Sequence, residues 1–177
     1  MIIHSFDGKT PQIGEGTFVA ETAAITGDVE IGRDCSVWYS AVIRADGNPV
    51  RIGDRVSVQD CACIHISTGE GGGATIGSDV IIGHNATVHA CTVGDRCLIG
   101  MGSTILDGAV IGEGAIVAAG AMVLGRTQVG AYEMWAGVPA KMVKQLDPAS
   151  NPATVGKGVE EYVSLAGKYL QTLDEKL

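Results

Sequence analysis

His65, His84 and His89 are three of the chain's four histidines, and they crowd into one stretch of the sequence. Neutral imidazole nitrogen is the commonest side-chain ligand for transition metals. Three such nitrogens around one tetrahedral ion leave a fourth position open for chemistry. His4 stands apart near the start of the chain and is read as an ordinary surface residue.

What positions these side chains is a six-residue repeat. Apolar residues fall at Ile13, Val19, Ile25, Ile31, Val37 and Ile43, then at Ile52, Val58, Ile64, Ile76, Ile82 and Val88. A last run goes through Val93, Ile99, Ile105, Ile111, Val117, Val123 and Val129 to Trp135. Glycine often follows the apolar residue, and something small sits four residues after it. Six is neither a helical period nor a heptad, but it is a multiple of two, so a strand can carry it. A strand and turn in each hexad, with one Ile or Val pointing inward, stacks into a β-helix whose coils pair as parallel strands ~4.8 Å apart. Three hexads per coil make a triangular prism, and the twenty positions make between six and seven coils.

The repeat loses step three times. Ile43 to Ile52 gains three residues, Ile64 to Ile76 gains six, and Val88 to Val93 loses one. Counting three hexads per coil makes Ile43, Ile64 and Val88 equivalent, so Arg44, His65 and His89 stack in one column. The same count sets Asp60 below His84. Stacked histidines with backbones ~4.8 Å apart need little tilt to bring two nitrogens to the ~3.3 Å separation of two ligands on a tetrahedral zinc. His84 lies one hexad earlier, on another side of the prism. It would join the other two only from a neighbouring prism packed in parallel.

Composition is compatible with this reading. The chain has 177 residues, 46% hydrophobic but only 5% aromatic, with 26 glycines, which suits a β core of Val, Ile and Ala with many turns. A net charge of -8 argues against nucleic acid or an anionic membrane as partner. The start of the chain does not resemble a secretory signal, and no apolar run approaches the ~20 residues of a spanning helix, so a cytoplasmic protein is expected. Five cysteines, an odd number, argue against a disulfide framework and are read as packing residues. The expected organisation is a β-helix over 1–146, a linker over 147–157 with two prolines, and a helix within 158–177. That helix, about Gly158–Glu175, carries Val159, Tyr162, Val163, Ala166, Tyr169, Leu170 and Leu173 on one face.

The segments Arg44-Ala45-Asp46, Val58-Gln59-Asp60, His65, Ile82-Gly83-His84, Val88-His89-Ala90-Cys91 and Leu98-Ile99-Gly100-Met101-Gly102 resemble the γ-class carbonic anhydrases. The hexads resemble the left-handed β-helix family, and the hand is taken from that resemblance, since the general crossover rule favours the opposite one. The resemblance implies a homotrimer with a zinc site at each interface, His65 and His89 coming from one subunit and His84 from the next. Iron or cobalt would suit the same ligands. It implies that Arg44 and Asp46 bridge subunits with Asp60 in the same network. Gln59 would hydrogen-bond the metal-bound solvent, and Tyr162 would lean over the site. The implied reaction is hydration of CO2 to bicarbonate, since a zinc held by three histidines lowers the pKa of bound water to about 7.

The sequence departs from the family in three places. Ala45 stands where Gly is common. Gly47 stands where the most active archetype has glutamate. The loop Ser67–Ala74 is glycine-rich, with Glu70 its one acid. A proton shuttle is therefore not visible. Two other readings remain open: a CoA-linked thioesterase or acyltransferase, given the Gly137-Val138-Pro139-Ala140-Lys141 signature of hexapeptide-repeat proteins, and a non-catalytic trimeric scaffold.

Overall fold

The computed structural model describes residues 1–174. The hexads wind into a parallel β-helix with three faces. The first face stacks Ile25, Ile43, Ile64, Val88, Ile105 and Val123. The second stacks Ile13, Ile31, Ile52, Ile76, Val93, Ile111 and Val129. The third stacks Val19, Val37, Val58, Ile82, Ile99, Val117 and Trp135. Every register predicted from the count of three hexads per coil is observed. Ile25, Ile43, Ile64, Ile82, Val88, Ile99 and Ile105 are each 0% exposed, so the core is one continuous ladder of aliphatic side chains. Each such burial is worth about 1.5–3 kcal/mol.

The N-terminal segment, from which the hexad count took no inward position, is part of the repeat. Ile2–His4 pairs parallel with Ala24–Thr26, so Ile3 stacks on Ile25 and adds a first rung. With Ile3 the inward positions number twenty-one, which is seven full coils rather than between six and seven. The hexad count missed it because the step from Ile3 to Ile13 is ten residues, not six.

Glycine after the inward residue has a steric cause. A Cβ on Gly100 would run into the backbone of Ala118 and Ala119 in the coil above. The last coil is closed by an antiparallel strand, Lys141–Gln145, on Glu133–Ala136.

Segment 147–157, read as a linker, is helical in part. A 3-10 turn, Pro148–Ser150, is capped by Asp147, whose side chain accepts from Ala149 N at 3.0 Å. A π-helical turn follows over Pro152–Gly156. The C-terminal helix runs Lys157–Asp174. Asn151 anchors its start, its Nδ2 donating to Arg96 O at 3.1 Å. The helix buries Val159 and Ala166 against the third face. Tyr169 and Tyr162 pack edge-on to Trp38, with ring centroids 5.3 and 5.7 Å away. The side chain of Leu173 and the expected end at Glu175 lie outside the described residues. Among the described residues no helix is long and apolar enough to cross a membrane.

Candidate metal centre

Strands Cys63–His65 and Thr87–His89 are adjacent rungs of the first face, and the pairing puts His89 directly over His65. His65 Nδ1 and His89 Nε2 face each other at 3.1 Å. The other nitrogen of each ring is held by a carboxylate: His65 Nε2 lies 3.2 Å from Asp46 Oδ1, and His89 Nδ1 lies 2.6 Å from Asp107 Oδ1. A carboxylate only accepts, so it draws a proton onto the nitrogen it touches. The two facing nitrogens are then both lone pairs. At 3.1 Å they require something positive between them, a shared proton or a cation, and the spacing fits two ligands of one tetrahedral ion.

Arg44 sits one rung below His65 and donates to Asp46. The resemblance made these two a bridge between subunits; within one chain they already bind each other. Partial burial raises the Asp46 carboxyl, but hydrogen bonds from His65 and Arg44 outweigh it and hold the group below the usual carboxylate range. At Asp107 the bond from His89 is the dominant effect and acts in the same direction. Asn48 ties down the neighbouring loop, its Nδ2 donating to Ser67 O at 2.6 Å and Gly69 O at 2.7 Å, while Glu70 is exposed.

His84 is elsewhere. It occupies the corner after the third-face strand Ile81–Ile82, above Asp60, whose Oδ2 lies 2.9 Å from His84 Nδ1. Gln59 is 5% exposed, and its Oε1 accepts from His84 N at 3.1 Å, so what it offers outward is its amide NH2. Tyr162 belongs to this same edge: burial pushes its phenol pKa up, helped by the negative charges of Asp60 and Glu161. Gln59 and Tyr162 line a cavity of about 410 Å³ walled by Ile81, Leu98, Met101, Ile116 and Met134. Among the described residues no three His, Cys, Asp or Glu side chains of one chain come together to hold a metal. One chain therefore carries two separate parts: the pair His65–His89 with Asp46 and Asp107, and the group His84–Gln59–Asp60 with Tyr162.

Asp107 was not foreseen. The count of three hexads per coil puts Leu106, not Asp107, over His89. The five cysteines are free. Cys35, Cys91 and Cys97 are buried packing residues, and burial pushes their thiols up to about 11, 12 and 12. Cys61 is exposed, which the packing reading did not anticipate.

Residues 90–125 match the family described as bacterial transferase hexapeptide (six repeats). The mitochondrial gamma carbonic anhydrase 2 of Arabidopsis thaliana is 36% identical over 93% of this chain, which spans about 60% of that relative's length. Protein YrdA of Escherichia coli is 35% identical over 96% of this chain and 94% of its own. A hexapeptide transferase family protein from Anaplasma phagocytophilum superposes with a TM-score of 0.89 at 34% identity, covering 95% of this chain and 98% of the other. With the stacked histidines and the coil registers, these likenesses show that the chain belongs to the γ-class carbonic anhydrase-like family of hexapeptide-repeat proteins.

Proposed function

We propose that this protein is a zinc-dependent carbonic anhydrase whose metal site is shared between subunits of a homotrimer. The observation that carries this is the pair of facing nitrogens, His65 Nδ1 and His89 Nε2, 3.1 Å apart with their opposite nitrogens both engaged by carboxylates.

The outer surface supports the trimer. The outward residues of the first face run from Ile2 through Ala24, Val42, Cys63, Thr87 and Thr104 to Met122, with no charge in seven rungs. The second face carries Glu30 and Arg51 outward, and the C-terminal helix packs against the third. The two half-sites lie on the two edges of the uncharged face. Three chains with these faces toward a common axis would bring each His65–His89 edge against the next chain's His84 edge, a head-to-tail contact that closes. The columns then match in character as well. Met101, one coil above His84, is 59% exposed and would meet Leu106 and Leu124 above the partner's histidine pair; Asp60, one coil below, would meet Arg44.

A divalent ion on three imidazoles supplies, when bound, a Lewis acid that ionises water near pH 7. Asp46 and Asp60 hold the rings of His65 and His84 in the tautomer that leaves one nitrogen free. Gln59 offers its amide to an oxygen of CO2 or bicarbonate, and the apolar wall excludes bulk water. The loop Ser67–Ala74 offers only the exposed Glu70 for the proton released in CO2 + H2O to HCO3−, so buffer carries it away and turnover rises with buffer concentration. A cytoplasmic location fits the free thiols.

The test is stopped-flow CO2 hydration on protein of known zinc content. His84→Ala and His89→Ala each abolish activity. Refolding the two variants together restores part of it, because one interface in a mixed trimer keeps an intact set. No recovery in mixed trimers sinks the shared site.

The cavity favours a second reading. At about 410 Å³ it exceeds the needs of CO2 and suits an acyl chain, so an acyl-CoA thioesterase or acyltransferase is the alternative. Metal-independent cleavage of octanoyl-CoA would select it. A zinc-loaded protein with neither activity points to a non-catalytic trimeric scaffold.

A further inference from the structure

We infer that Asp107 is a positioning residue for the metal centre: it sets the tautomer and ring orientation of His89. This rests on the metal site proposed above. The geometry comes from the one-residue deletion. Val88 pairs with Ile105 and Thr92 with Val110, so three residues of the lower coil lie against four of the upper one. Ala90 is fastened to Gly108, whose N donates to Ala90 O at 2.7 Å, and Thr92 N donates to Ala109 O. His89 alone therefore faces both Leu106 and Asp107. The upper corner has one residue too many for the corner beneath it, and the carboxylate of Asp107 leans back down onto His89 Nδ1 at 2.6 Å. Its main chain is held in turn by the coil above, where Arg126 N donates to Asp107 O at 2.9 Å.

The consequence is directional. With Nδ1–H donated to Asp107, the only lone pair left on His89 is Nε2, the nitrogen that faces His65. Without Asp107 the ring is free to take the other tautomer or to turn, and either change removes a ligand without removing the histidine. The deletion thus brings the carboxylate over His89, which the strand register already stacks on His65.

The experiment compares wild type, Asp107→Asn and Asp107→Ala in the full-length protein. In the metal-free protein, nitrogen NMR of labelled histidine reads the His89 tautomer: protonated at Nδ1 in wild type, shifted toward Nε2 in Asp107→Ala. Zinc affinity measured against a chelator falls about 10–100-fold in Asp107→Ala, the usual cost of losing such a partner. Asp107→Asn, which keeps an acceptor oxygen, recovers most of it. The visible spectrum of the cobalt-loaded protein changes in parallel, while the melting temperature of the metal-free protein does not. An unchanged tautomer with unchanged zinc affinity overturns the role of Asp107. A wild type that binds no zinc overturns the metal site itself, and the tautomer measurement still decides whether Asp107 controls His89.

Discussion

The two edges of the uncharged face are built differently. At the edge that carries His65 and His89, the six-residue step fails four times: Ile3 to Ile13, Ile43 to Ile52, Ile64 to Ile76 and Val88 to Val93. At the edge that carries His84 the step is six in every coil, from Val19–Ile25 to Val117–Val123. The regular edge presents one histidine from an ordinary turn, with Asn85 at φ 59° completing it. The irregular edge also brings two carboxylates, Asp46 and Asp107, onto its stacked histidines from corners that differ in length from their neighbours. Its tightest corner puts Ala90 at φ 45°, a conformation that disfavours any residue with a Cβ. Irregularity is therefore where this chain departs from its cheapest winding in order to assemble a site.

The sharpest way to break this comparison is to lengthen each edge by one residue. A glycine inserted between Ala90 and Cys91 restores the six-residue step. It should leave the fold intact by circular dichroism yet weaken zinc binding beyond the roughly 10–100-fold cost of a lost supporting group. The same insertion between Asn85 and Ala86 displaces Ala86, which is 0% exposed, and the strand behind it. It should cost about 2–5 kcal/mol in urea denaturation. Equal tolerance at both edges would refute the distinction.

Gly100→Ala probes the regular edge from inside. The added methyl meets the backbone of Ala118–Ala119, so we expect a loss of about 1–3 kcal/mol with zinc affinity unaltered. Met101→Glu probes it from outside. The side chain is 59% exposed in one chain, so the fold should be indifferent to it, while dissociation of the proposed trimer should rise at least about tenfold, or 1.4 kcal/mol, by light scattering. An unaffected trimer would remove Met101 from the interface.

The smallest effect lies low on the irregular edge. A hydrogen bond from Lys9 is the largest influence on Asp28; burial opposes it, and Arg51 adds to it, so the carboxyl sits below its usual range. A group with a lowered folded pKa stabilises the fold above its unfolded value of about 3.9 and ceases to do so as pH falls through the lowered value. Asp28→Asn should therefore cost about 0.2–1 kcal/mol at pH 7. The difference should shrink as pH falls below the unfolded value and vanish once the carboxyl is protonated in the folded chain as well, as read from thermal melts.

Most of the fold was legible in the residues because a β-helix is a local code. An inward Ile or Val in every hexad specifies strand, turn and neighbour together, and counting three hexads per coil across the breaks predicts register. That count placed His65 over Arg44, His89 over His65 and His84 over Asp60, all as observed. It failed where length replaces pattern. Ile3 escaped because ten residues separate it from Ile13, and Asp107 escaped because the deletion beside His89 shifts the coil above by one residue. The 147–157 segment was misjudged because two prolines signal a break in a strand equally whether the chain then wanders or turns helically.

By itself the sequence determined the prism, its registers and the identity of the imidazoles, since these follow from spacing along the chain. Only the tertiary structure decided which nitrogen of each ring is free and that Asp46 and Asp107 are the carboxylates holding His65 and His89. Those are contacts of side-chain atoms across coils, set by corner lengths and ring tilts that no periodicity encodes.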